Sequence, residues 1–206
     1  MGHKIISIGR QFGSGGHEIG MEIAGRLGIS CYDKELIALA AERGELRHEK
    51  LAGFDEKREN RWLYEAVYEG NRRVPKGQSY SSVLFKLQSE VIRAIAHRED
   101  AVIVGRCADY ILRDRKDVQL LTVFIAAPFE IRVKRKMELE HLSQKKAEAL
   151  VRKTDQQRSA YYRSYTGMEW GDPSQFDLYL DTGKCGIQAA ADQIAAAYLK
   201  MECANT

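Results

Sequence analysis

Lys4-Ile5-Ile6-Ser7-Ile8 runs directly into Gly9-Arg10-Gln11-Phe12-Gly13-Ser14-Gly15-Gly16, after which Ile19, Ile23, Ala24 and Leu27 recur until Gly28. A β-branched run, a glycine-rich turn and a 3.6-residue period read as strand, loop and helix. The alternation continues along the chain. Residues 29–32 read as a short strand, and Asp33 as the N-cap of a helix carrying Leu36, Ile37, Leu39 and Ala40 that closes at Gly44. Residues 54–70 read as a charged amphipathic helix, 71–79 as a loop holding Pro75 and Gly77, and 81–97 as a further helix. The apolar runs 101–104 and 120–125 read as buried strands, and a basic helical stretch follows Pro128 to about Tyr165. A break is expected near 141–143, with Ser143 capping a second helix. Residues 176–181 alternate in polarity as a last strand, and a closing helix spans about 187–201.

Five strands separated by helices, without a hairpin signal, predict an α/β fold: a three-layer α-β-α sandwich around a parallel sheet, because parallel neighbours need helical crossovers. No repeat divides the 206 residues, so a single domain is expected, with helical insertions over about 42–98 and 128–170. With 44% hydrophobic and 30% charged residues and only 3 Pro, disorder and fibrous repeats are excluded. Cys31, Cys107, Cys185 and Cys203 show neither CxxC spacing nor a histidine pair, so reduced thiols are expected rather than zinc or disulfides. No run approaches the roughly 18 apolar residues of a membrane span, and a cytoplasmic protein without a membrane partner is expected.

The net charge is only +3, yet residues 132–163 hold 10 Lys/Arg against 4 Asp/Glu. Such a field gathers polyanions, nucleotide phosphates or a nucleic-acid backbone, although a merely solvated helix face has the same composition. A glycine loop after the first strand of a parallel sheet stands at the carboxyl edge, where such sheets bind ligands. There the N–H groups of Gly13, Ser14, Gly15 and Gly16 and the helix dipole suit a phosphate; a plain tight turn is the alternative. Against the usual P-loop pattern, Gly16 stands in the lysine position and His17 in the hydroxyl position. Arg10, read as part of the loop, is the replacement cation, and His17 is read as a helix N-terminal donor; no metal ligand is assigned. Further on, Arg152, Asp155, Arg158 and Arg163 share a helix face about 140° wide at roughly 100° per residue. Asp155 lies three residues from both Arg152 and Arg158 and is expected to brace the two; surface salt bridges give the same spacing.

The order of five motifs resembles the cytidylate kinase-like family of P-loop nucleoside monophosphate kinases. They are the glycine loop with its strand, Tyr32-Asp33-Lys34, Val102-Ile103-Val104-Gly105-Arg106-Cys107-Ala108-Asp109, Arg152-x-x-Asp155-x-x-Arg158, and Asp177-Leu178-Tyr179-Leu180-Asp181-Thr182. The resemblance runs nearly end to end. It implies ATP with Mg2+ as donor, bound at Gly13 to His17, and lid arginines Arg152 and Arg158 on the transferred phosphoryl group. Asp33 and Arg106 then stand beside the acceptor, a nucleotide or small phosphorylated substrate, with Arg163 on the same lid face. Two positions depart from the family pattern: Gly16 replaces lysine, and Cys107 replaces the acidic residue that helps read the acceptor. Asp109, one turn along, is the candidate replacement. The alternative that these departures raise is a nucleotide-binding regulatory protein without turnover. A nucleic-acid partner is not expected, because aromatic residues do not interleave the basic stretch outside Tyr161, Tyr162 and Tyr165.

Overall fold

The computed structural model describes residues 2–33 and 80–201. The expected helices between Asp33 and Gly70, the loop at 71–79 and most of the acceptor-side insertion lie outside the described residues. The strands are β1 (His3–Arg10), β2 (Ser30–Tyr32), β3 (Ala101–Val104), β4 (Val118–Ala126) and β5 (Leu178–Asp181). They form one parallel sheet in the order β2-β3-β1-β4-β5. The described helices are α1 (Gly16–Leu27), α2 (Tyr80–Arg98), α3 (Ala108–Leu112), α4 (Phe129–Glu140), α5 (Gln144–Thr166) and α6 (Thr182–Lys200).

Successive side chains of a strand point to opposite faces, and each face of the sheet therefore needs its own cover. Ile6 and Ile8 of β1, with Val102, Val104, Val123 and Ile125, bury against Ile19 and Ile23 of α1 and Ala190 and Ile194 of α6. Ile5, Ala101 and Ile103 bury against Val91, Ile92 and Ile95 of α2 and Ile111 and Leu112 of α3. Ile5, Ile6 and Ile8 are each fully buried, which stabilises the central strand by about 1.5–3 kcal/mol per side chain. The result is the expected three-layer α/β sandwich.

Three of the boundaries that differ from the sequence reading have a visible cause. β1 runs through Gly9 to Arg10, which pairs with Ile125; Arg10 is the last residue of the strand and not a loop residue. β5 begins at Leu178 because Asp177 is bound sideways to β4. Its carboxylate accepts from the Thr122 N–H (2.8 Å) and hydroxyl (2.7 Å), and its own N–H donates to the Thr122 hydroxyl (3.0 Å). α6 begins at Thr182, capped by the Asp181 carboxylate on the Gly183 N–H (2.9 Å), and kinks at Gly186. The break after α4 falls where expected, at left-handed His141; Ser143 holds the N-cap of α5 without a side-chain cap bond.

Candidate active site

Past Arg10 the chain leaves β1 at the carboxyl edge of the sheet and turns into α1 through left-handed Gly13 (φ 82°) and Gly15 (φ 89°), the latter being the helix N-cap. The turn is held from outside. The Gln11 N–H donates to Ile125 O (3.0 Å), and Gln11 Oε1 accepts from the Ala127 N–H (3.0 Å). The Ser14 hydroxyl donates to Gln11 O (2.8 Å), and the Thr182 hydroxyl, at the start of α6, donates to Ser14 O (2.8 Å). First-turn amides of a helix have no acceptor within it. Those of α1 border a cleft of about 280 Å³ that Arg10, Phe12, Arg135, Lys136 and Arg158 also line. Cations and free-ended amides around one cavity suit a polyphosphate.

Arg10 crosses this edge and is only 7% exposed. Its Nη2 donates to Asp33 Oδ1 (3.2 Å), and Asp33 Oδ2 accepts from His17 Nδ1 (2.8 Å). Its stem rests on Gly16, where an added Cβ would lie 2.5 Å from Arg10 Cβ and 2.9 Å from Cγ. A Cβ on Gly105 would overlap the Arg10 guanidinium. The sequence reading put Asp33 beside the acceptor; the structure sets its carboxylate on Arg10 and His17, in the wall of the larger cleft.

A second, smaller cleft of about 30 Å³ lies across Arg10 and Arg158, which line both. Arg106, Cys107 and Asp109 line it, with Phe124 and Trp170 as part of its aromatic wall. Arg106 (φ 59°) and Cys107 (φ 56°) are buried and left-handed, a backbone cost of about 1–3 kcal/mol each that packing must offset and that fixes how this turn is presented. Asp109 accepts from the Tyr162 hydroxyl at 2.6 Å. Burial raises the Asp109 pKa against the opposing effect of that bond, and burial with the neighbouring carboxylate raises that of Tyr162.

The residues expected to form one face of α5 separate. Arg158 Nη1 donates to Arg10 O (3.0 Å), and its guanidinium lies 5.6 Å from the centre of the Phe12 ring. Arg152 is exposed, with its guanidinium 4.1 Å from the centre of the Phe129 ring, and Arg163 is exposed; neither lines either cleft. A shared angular face does not make neighbours, since Arg163 stands about 16 Å along the axis from Arg152. Asp155 does not brace Arg152 and Arg158 as its spacing suggested. It accepts from the Phe12 N–H (2.8 Å) and pairs with Arg132 of α4. Arg132, buried at 6% exposure, also donates from Nε to Ala127 O (2.9 Å) and from Nη1 to Phe12 O (3.2 Å). The Phe12 backbone is thereby held at both its N–H and its carbonyl. Sequence reasoning missed Arg132, Arg135 and Lys136 as site residues; their only signal was the local excess of positive charge.

Among the described residues no cluster of three His, Cys, Asp or Glu side chains is placed to hold a metal ion. The cleft carboxylates Asp33 and Glu18 are engaged, the first by Arg10 and His17 and the second by Arg135. The residues fit an anion rather than a protein-held metal. No described helix is long and apolar enough to cross a membrane.

Among solved structures, an uncharacterized protein from Eubacterium ventriosum is 28% identical and superposes with a TM-score of 0.70, covering 95% of this chain and 98% of that one. A gluconokinase from Sinorhizobium meliloti shares the fold at a TM-score of 0.57 and 14% identity, covering 98% of each chain. Among curated proteins, the cytidylate kinase of Sulfolobus acidocaldarius is 24% identical over 109 residues, a match that spans 53% of this chain and 58% of that enzyme. The profile of the cytidylate kinase-like family matches residues 5–184, which takes in both clefts, the glycine loop, α4 and α5. With the parallel sheet and the glycine loop at its carboxyl edge in place, the chain belongs to the cytidylate kinase-like family.

Proposed function

We propose that the protein is an ATP-dependent phosphotransferase that passes a terminal phosphoryl group to a nucleoside monophosphate or a related small phosphorylated acceptor. The observation that carries this reading is that Arg10 and Arg158 line both clefts, with Arg158 bonded to the main chain of Arg10. Phosphoryl transfer passes through a loose transition state with its charge spread over three equatorial oxygens, so catalysis is mostly positioning and fixed positive charge. One well-placed arginine contributes roughly 10^3 to 10^5 in rate.

In this reading the amides of Gly13 to His17 hold the donor phosphates, and Arg135 and Lys136 add charge from α4. Arg10 stands in for the P-loop lysine, anchored by Asp33. Magnesium, carried in by the donor phosphates and water, supplies bridging positive charge when bound. The acceptor phosphate lies beside Arg106, against the aromatic wall, with Asp109 and Tyr162 behind it. Gly16 is the residue that the Arg10 stem requires, so the missing lysine is a replacement and not a loss; this favours turnover over nucleotide binding alone. Arg132, Arg135, Lys136 and Arg158 turn toward the loop and its cleft, which favours a small ligand over a nucleic acid.

The test is ATP consumption by the purified protein against a panel of ribo- and deoxynucleoside monophosphates and small phosphorylated metabolites, with Arg158→Ala in parallel. An acceptor that raises turnover in the wild type and not in the variant supports the reading. If no member of the panel raises it above the acceptor-free rate, the reading fails.

A further inference from the structure

Asp33 is 6% exposed and serves two groups at once, Arg10 through Oδ1 and His17 through Oδ2. His17 stands where an ordinary phosphate loop has a hydroxyl, and Arg10 is the cation read as the replacement for its lysine. A carboxylate already bonded to a guanidinium accepts rather than donates, so His17 Nδ1 carries the hydrogen and Nε2 is the nitrogen left over. The His17 side chain is 61% exposed, in the first turn of α1, and borders the donor cleft.

We propose that His17 binds the donor phosphates as an imidazolium, so that nucleotide binding takes up a proton at Nε2. The inference rests on the reading of the larger cleft as the donor site. Among the described residues, the charged groups around His17 are Asp33 after β2, Arg10 of β1, Glu18 of α1, Arg135 and Lys136 of α4, and Arg158 of α5. Four of these are cations that oppose a further positive charge, while Asp33 and Glu18 favour it. A triphosphate adds several negative charges to the cavity and reverses that balance. Imidazole is the side chain whose ordinary titration falls between pH 5 and 8, which sets the range over which the test is run. The proton comes from the buffer on binding and returns to it on release. A P-loop hydroxyl cannot titrate there; a histidine in its place makes donor affinity depend on pH.

Isothermal titration with MgATP, without acceptor, in buffers of different ionisation enthalpy at pH 7.5 reads the proton directly. Wild type is expected to take up about half a proton or more beyond that taken up by His17→Asn under the same conditions. Across pH 6.5 to 8.5 the wild-type Kd is expected to rise by up to about tenfold per unit where the bound imidazole is charged and the free one is not, and that of His17→Asn to stay nearly level. His17→Gln, and a thermal melt of both variants, separate this effect from misfolding. Equal proton uptake by wild type and variants, or a wild-type Kd level across the range, overturns the proposal. If MgATP does not bind the wild type at any pH, it is the donor reading that fails, and the two failures are told apart.

Discussion

The stem of Arg10 occupies the space in which a side chain at Gly16 would begin: a Cβ on Gly16 would lie 2.5 Å from Arg10 Cβ. The strand residue and the helix residue exclude each other, and only one of them can carry the cation. Gly16→Lys is therefore expected to weaken MgATP binding by about 10- to 100-fold, the effect of roughly 1–3 kcal/mol of overpacking. Adding Arg10→Gly to Gly16→Lys removes the opposing Cβ as well as the stem and is expected to recover binding relative to Gly16→Lys alone. Titration calorimetry on the two single variants and the double variant checks this; additive losses mean that the positions are independent.

Arg158 touches the junction of the two clefts and Arg152 does not, although both lie in one motif. Arg158→Ala is expected to lower turnover by about 10^2-fold or more with a smaller change in ATP affinity. Arg152→Ala removes an exposed cation–π contact worth about 0.5–1 kcal/mol and is expected to change turnover by no more than about fivefold. Steady-state kinetics with the acceptor found in the panel decide between them. Equal losses for the two variants contradict the placement of Arg152 on Phe129.

The sheet and the glycine loop were legible because they rest on local signals: β-branched runs, glycine at a strand end, and a helical period after it. The partners of Asp155 were not. Spacing along a helix shows which neighbours a side chain is able to reach in that helix, and Arg152 and Arg158 satisfied it. The real partners, Phe12 and Arg132, come from the loop and from α4, which only the packing of α5 against them brings near. Arg10 was legible as a cation but misplaced in the loop, because a charged residue after glycine carries no strand signal. Its pairing with Ile125 follows from the length of β4.

Asp109 is expected to make stability depend on pH in an unusual direction for a carboxylate. Burial raises its pKa above the ordinary 3.8, so the folded state holds the proton more tightly than the unfolded one. The stabilising contribution is fully present below the ordinary value and is lost as pH rises through the raised one. Asp109→Asn keeps an acceptor for the Tyr162 hydroxyl without the buried charge. Relative to wild type, its melting temperature is expected to be higher at pH 7 than at pH 3.5. A difference that stays constant between those pH values contradicts the raised Asp109.

The Asp155–Arg132 pair ties α4 and α5 to the glycine loop through a single residue, with the Phe12 N–H bonded to Asp155 and its carbonyl to Arg132. Arg132 has a side chain only 7% exposed, so removing its partner leaves a charge with little access to water. Breaking a buried pair from one side costs about 3–5 kcal/mol, and because Asp155 is partly exposed the lower end applies here. Asp155→Ala is expected to lower the melting temperature by roughly 6–12 °C, at about 2–4 °C per kcal/mol in a chain of this size. Asp155→Asn still accepts from Phe12 and loses only the charge, so a smaller drop is expected. If the pair also sets the loop, both variants bind MgATP less tightly at a temperature where both remain folded, in the same order as their stability. A loss of stability with unchanged MgATP affinity assigns Asp155 to the packing of α4 and α5 alone, because a loop held correctly without it has no need of the contact at Phe12.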